Sequence, residues 1–388
     1  MKRSVMMMAA LTFILALFVP LISAQTQQPA TGTQPAAAAQ DPAKEEYEAY
    51  TAWYAAYKAQ DAAKALELGK AFVEKFPSSK YTEFIKKDNI RARGVLFNKA
   101  VQDKNMNEMV RIGKEVLAEN PDNLDYLMAM SVQLRQNELS ASPPNYAHAA
   151  EASEFTDRAI KLIESGKTPT PTQGATFDKN KTLAFFHWTL AVVDDHNKDA
   201  DKAISHYMEA TKLDPMNATY YFNCGRLHQV KYAAAAQKYG SLPQADRDAA
   251  DADMKPEVKA ALDDLNKEAD AVINCWVRFM GLTATDMKGW ESLRPQVQKT
   301  VTDLYKYRHN DSTEGLDKLI EQNKGASAVS MPPPSTASAT GNAAAPAGGT
   351  TAPAKTGADQ GSMTGKPNGA AAKPNAAPAK PTGRKPGR

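Results

Sequence analysis

The chain has 388 residues, of which 43% are hydrophobic, 23% charged and 8% aromatic. That is a globular composition over most of the length, neither a fibre nor a wholly disordered chain, and two cysteines are too few for a disulfide scaffold or an all-cysteine zinc or iron–sulfur centre. The net charge of +3 hides an acidic body: Lys2 and Arg3 supply +2 and residues 325–388 a net +6, which leaves −5 for the rest and argues against a nucleic-acid-binding domain.

Taken in chain order, Lys2 and Arg3 precede an apolar run over residues 5–22 that contains Pro20 and ends beside Ser23 and Ala24. A charged start, a short apolar core and small exit residues predict a signal peptide over residues 1–24, cut after Ala24. An uncleaved anchor helix is the alternative, and in that case the leader is the chain's membrane contact. Only this stretch could enter a bilayer, so a polytopic membrane protein is excluded. No cysteine lies near the cut, so lipidation there is excluded and a periplasmic or secreted location is expected. Residues 25–43, rich in Gln, Ala, Thr and Pro, read as a disordered linker.

From residue 44 to 324 the apolar residues recur at helical spacing, and no convincing alternating strand pattern appears. The segment also repeats itself. Gly69-Lys70, the apolar pair Phe72-Val73 and Pro77 recur as Gly113-Lys114, Val116-Leu117 and Pro121, 44 residues later. Ala203-Ile204, Tyr207, Ala210 and Pro215 follow the same frame, and Ala159-Ile160 leads to Pro171, again 44 residues before Pro215. In this frame the small residues Ala65, Ala159 and Ala203 let a second helix lie close to a first, Leu66, Ile160 and Ile204 fill the groove, and the proline ends the helix. First helices carry Leu96, Phe97 and Ala100, then Leu190 and Ala191, then Tyr221, Cys224 and Gly225.

On these residues the chain resembles the tetratricopeptide repeat family, most closely over 183–229, well over 45–121 and weakly over 122–180. Pro77-Ser-Ser-Lys-Tyr81 is similar to the turn of envelope-associated bacterial members. The spacing departs from the family: 44 residues or more instead of the usual 34, with interruptions at 139–145, 166–180 and 239–256, while 257–324 match only as helices. The resemblance implies an all-α solenoid of antiparallel helix pairs with a concave protein- or peptide-binding surface. It also implies that Tyr47, Tyr50, Tyr54 and Tyr57 face inward, followed by Phe185, Trp188 and Asp195, then Thr219, Phe222, Arg226 and Gln229. The tyrosine spacing of three, four and three is itself helical, and it puts Ala49, Ala52, Trp53 and Ala56 on the packing face. A stripe of tyrosines either binds a partner, offering large apolar area with little entropy lost, or packs within the stack. Arg226 is the candidate partner for a carboxylate. Trp188 and Phe222 stand where family members that clamp a C-terminal carboxylate carry lysine.

No chemical site emerges from the spacing. His148, His187, His196, His206, His228 and His309 contain no metalloprotease pair. Asp246, Asp248 and Glu257 match three places of a calcium loop, but Ala250 and Asp251 fail two others, so the segment reads as a solvated acidic loop. Cys224 and Cys275 are either a disulfide of an exported chain or two buried small hydrophobes. No nucleophile elbow or dinucleotide loop occurs, and Asp194 and Asp195 project about 100° apart on a helix. No catalytic residue, cofactor or metal is therefore expected. Residues 325–388 contain ten prolines, ten glycines and seventeen alanines and no aromatic, Leu or Ile, too little apolar area to offset ordering. The tail is a solvated spacer or a basic arm for anionic envelope polymer, and Gly361 to Lys366 only imitate a phosphate loop. The expected function is a non-enzymatic, exported scaffold that binds proteins or peptides in the cell envelope, with no nucleic-acid partner. The alternative is a structural adaptor anchored to envelope polymer or a membrane surface by the tail.

Overall fold

The computed structural model describes residues 42–171, 176–250, 253–285, 287–325 and 327. The leader, most of the linker and the tail beyond residue 327 lie outside them. Every element among the described residues is helical, as expected: α1 (Pro42–Lys58), α2 (Ala62–Lys75), α3 (Thr82–Gln102), α4 (Met106–Glu119), α5 (Leu124–Leu134) with a π-helical turn (Arg135–Leu139), α6 (Ala149–Glu164), α7 (Lys179–His196), α8 (Ala200–Leu213), α9 (Ala218–Gly240), the short α10 (Gln244–Arg247), α11 (Pro256–Leu282), α12 (Arg294–Arg308) and α13 (Leu316–Gln322).

Helix starts and stops follow local chemistry. Asp61, Asn105, Asn123, Asp178, Asp199 and Asn217 each cap a helix by accepting a hydrogen bond from a backbone N–H two or three residues on. The turn inside three helix pairs is the same. Gln60, Lys104 and Lys198 adopt positive φ, and the next residue's N–H reaches back five residues, from Asp61 to Ala56, Asn105 to Ala100 and Asp199 to Asp194. This is a Schellman closure running directly into the next N-cap. Helices α2, α4 and α8 end two residues before Pro77, Pro121 and Pro215, as the repeat frame requires, but α6 ends at Glu164, well before Pro171, so that proline does not stop the helix of the fourth copy.

The frame's small residues lie where helices approach most closely. Ala65, Ala159 and Ala203 are buried. A Cβ on Gly69 would stand 2.2 Å from Asn89 Oδ1, and one on Gly113 would stand 2.1 Å from Met130 Sδ. Consecutive helices pack on one another from α1 to α9, and α11 lies along α9. First helices also touch first helices. Trp53 of α1 meets Phe84 of α3 edge-on at 5.5 Å, and Phe97 of α3 meets Tyr126 of α5 at 4.8 Å. Arg226 of α9 pairs with Asp195 of α7. Second helices are linked by Lys70 to Glu115 at 2.6 Å and Lys114 to Glu151 at 3.0 Å. The apolar interior is correspondingly divided along the chain, from a small core of Trp53, Phe72 and Ile85 to a large one around Val272, Phe279 and Val301.

After α9 the pairing pattern changes. α11 runs for 27 residues, α12 closes over it through Arg308 to Asp270 at 2.6 Å and Tyr307 Oη to Asn266 at 2.9 Å, and α13 packs on it as well. Arg278 donates to the carbonyls of Asn323 and Pro215, both at 2.7 Å, and so ties the end of α13 to the turn before α9.

Candidate functional site

The tyrosines of α1 divide into two kinds. Tyr47 and Tyr54 are 64% and 40% exposed. Tyr50 and Tyr57 are half-buried, since Tyr50 stacks on Tyr81 at 3.9 Å and Tyr57 on Trp53 at 5.3 Å. Trp53 and Ala56 form the buried stripe as expected, but Ala52, assigned to that face, is exposed. It sits one residue, about 100° around the helix, from Trp53, which leaves it outside a narrow buried stripe. Phe84 of α3, which the sequence reading did not single out, is 48% exposed and lies 5.9 Å from Tyr57. Tyr54, Tyr57 and Phe84 therefore form a continuous aromatic surface across two first helices. Its cations are Lys58, 6.0 Å from the Tyr54 ring, and Arg91, 5.4 Å from the Tyr57 ring.

The residues expected to face inward further along occupy a second cluster. Phe185 and Trp188, both half-buried, meet edge to face at 5.9 Å. Arg135 from the π-helical turn stacks on Trp188 at 4.1 Å. Arg135 is buried, its Nε has no hydrogen-bond partner among the described residues, and it donates to Ser140 Oγ. Burial pulls its guanidinium down to about 10. Arg226 and Asp195, placed on one face by the repeat frame, do meet, so the arginine expected to await a partner's carboxylate is already held by the chain's own. Phe222 lies against Phe279 at 5.4 Å and Trp290 at 5.1 Å, packed into the C-terminal core. The repeat frame put Phe222 on the hollow face; Phe279 of α11 and Trp290 cover it instead, from the segment 257–324 that the frame matched only as helices.

The titratable groups sort by packing. His187 meets His206, with Nδ1 atoms 3.1 Å apart, and His196 stacks on Tyr146 at 3.6 Å. Asp194 faces His206 at 3.6 Å, on a different side from Asp195. Asp246 of the acidic loop is engaged by Lys255 at 2.8 Å. Cys224 and Cys275 are free buried thiols. Together with His228 they bring three ligand-type atoms within 4.8 Å of one another. Sequence spacing carried part of this signal, since Cys224 and His228 are one helical turn apart, but the second thiol comes from a helix 51 residues away.

No helix among the described residues is long and apolar enough to cross a membrane. No protein-family model matches the chain, and no curated protein matches it in sequence.

Proposed function

We propose that the protein is an exported, non-catalytic scaffold of the tetratricopeptide type that binds protein or peptide segments in the cell envelope. The observation that carries this reading is the exposed aromatic surface of α1 and α3, in which Tyr54 and Phe84 are 40% and 48% exposed. Each of these rings contacts Trp53 and Tyr57 and keeps an exposed portion that suits an apolar partner side chain. The flanking Lys58 favours an acidic group beside that side chain, while Arg91 is held by Asp88 at 2.7 Å. The succession of first-helix and second-helix contacts supports a repeat stack, in which such faces align along one side. Cys224 is 0% exposed, which disfavours covalent catalysis by its thiol.

The test is a peptide-library screen against the purified mature chain, followed by titration of selected peptides. Replacing Tyr54→Ala and Phe84→Ala together should weaken binding at least about tenfold, the cost of removing two interface aromatics, with an unchanged helical circular dichroism spectrum. Peptides that bind the double variant as well as the parent would refute this site. Fractionation and N-terminal sequencing of the expressed protein check export and cleavage after Ala24.

A further inference from the structure

The cluster around Cys224 has a geometry that neither peptide binding nor simple packing requires. Cys224 and His228 lie one turn apart on α9, so their side chains share a face. Cys275 enters from α11, and Cys224 Sγ, Cys275 Sγ and a His228 ring nitrogen all lie within 4.8 Å of one another. His228 Nδ1 is 2.7 Å from Glu268 Oε2, which leaves Nε2 as the nitrogen available to the sulfurs. The other Glu268 oxygen is 3.1 Å from Lys231 Nζ. Cys224 is 0% exposed, Cys275 8%, and the Glu268 side chain 8%. Met208 Sδ of α8 stands 3.7 Å from Cys224 Sγ.

We propose that Cys224, Cys275 and His228 bind a single zinc-type divalent d10 ion in a buried structural site, with Glu268 as the positioning residue for His228. In a tetrahedral zinc site with Zn–S of about 2.3 Å and Zn–N of about 2.0 Å, neighbouring donor atoms are about 3.5–3.8 Å apart, and the three donors here lie within 4.8 Å of one another. A carboxylate on the far nitrogen is the usual means of fixing the tautomer and orientation of a ligating histidine. A disulfide between the two cysteines would give neither His228 nor Glu268 a role. Charge selects among soft ions. Two thiolates and Glu268 carry three buried negative charges, and Lys231, shared with the solvated carboxylate of Asp201 at 2.7 Å, offsets one. A divalent ion brings the cluster to neutrality, whereas a monovalent one such as Cu+ leaves a buried negative charge. Water or the Met208 thioether completes the fourth position. The ion would clip α9 to α11 where the regular pairs give way to the C-terminal helices, and its binding free energy would become folding free energy.

The experiment uses the full chain, reduced and stripped with a chelator, and Zn2+ alone as the probe in competition with a chromophoric chelator. One equivalent should bind and protect both thiols from alkylation. Replacing the zinc with Co2+ should give a sulfur-to-cobalt charge-transfer band. Cys224→Ser and Cys275→Ser should each lose more than about 100-fold in affinity, and Glu268→Gln about 10–100-fold with both thiols retained. The Glu268→Gln comparison and the alkylation readout keep the test decisive if a cysteine variant does not fold. The proposal is overturned if the folded, reduced chain shows no saturable Zn2+ binding, if it binds Cu+ but not Zn2+, or if Glu268→Gln binds like the parent. A Cys224–Cys275 disulfide in protein taken directly from its native compartment would also overturn it.

Discussion

At the scale of single residues, close approach and burial dominate. Gly113 has no room for a side chain, because Met130 occupies the place where a Cβ would stand, 2.1 Å from its sulfur. Gly113→Ala gains helix propensity but forces Met130 aside, and we expect a net loss of about 1–3 kcal/mol, read as a lower denaturant midpoint at unchanged slope. His187 gives a pH signature. Desolvation, and then His206, hold it below the ordinary value of 6.5, with Glu209, Glu164 and Asp157 opposing. The unfolded chain therefore takes up this proton first as pH falls. Its contribution to stability is complete above about 6.5 and is lost as pH drops through and below that value. The denaturant midpoint should decline between about pH 7 and 5.5, and His187→Gln should flatten that decline. An equally steep decline in the variant would assign the effect to other groups.

At the scale of elements, the six Asp and Asn caps explain why the helices begin where they do, and each satisfies an otherwise orphaned N–H. Asn123 is the clearest case, because it alone separates the α4–α5 turn from the buried residues Leu124 and Leu127. Asn123→Ala should cost about 1 kcal/mol, within a range of about 0.5–2, measured by chemical denaturation. The Schellman turns at Gln60, Lys104 and Lys198 were present in the sequence as a recurring residue before Asp or Asn. The repeat was instead legible through glycines and prolines, because these leave a stronger mark than a left-handed polar residue. The aromatic stripe of α1 was legible from spacing alone, while its division into exposed Tyr47 and Tyr54 and half-buried Tyr50 and Tyr57 was not. Tyr81, which covers Tyr50, and Phe84, which extends the surface, come from beyond α2, and the lateral packing of α3 on α1 decides which rings it covers.

At the scale of the whole molecule, packing between sequence neighbours divides stability into local units. The N-terminal core rests on few large side chains, with Trp53, Phe72 and Ile85 fully buried. Trp53→Ala should remove about 3–5 kcal/mol, enough to open α1 and α2. Hydrogen exchange should then show lost protection over residues 42–81 while the amides of α11 and α12 keep theirs. A uniform loss along the chain would instead mean a single cooperative unit.

The sequence by itself determined the helical class, the recurring pair, the positions where α2, α4 and α8 stop and the small residues on which pairs approach. All of these depend on local backbone preference and on periodicity along one helix. Only the tertiary structure decided that Arg226 is held by Asp195, that Phe222 belongs to a core, that Phe84 joins the tyrosines and that two distant thiols meet His228 and Glu268. Each of those contacts joins side chains from different helices, and the offset between packed helices that brings them together is set by how whole surfaces interlock, a property no single stretch of sequence carries.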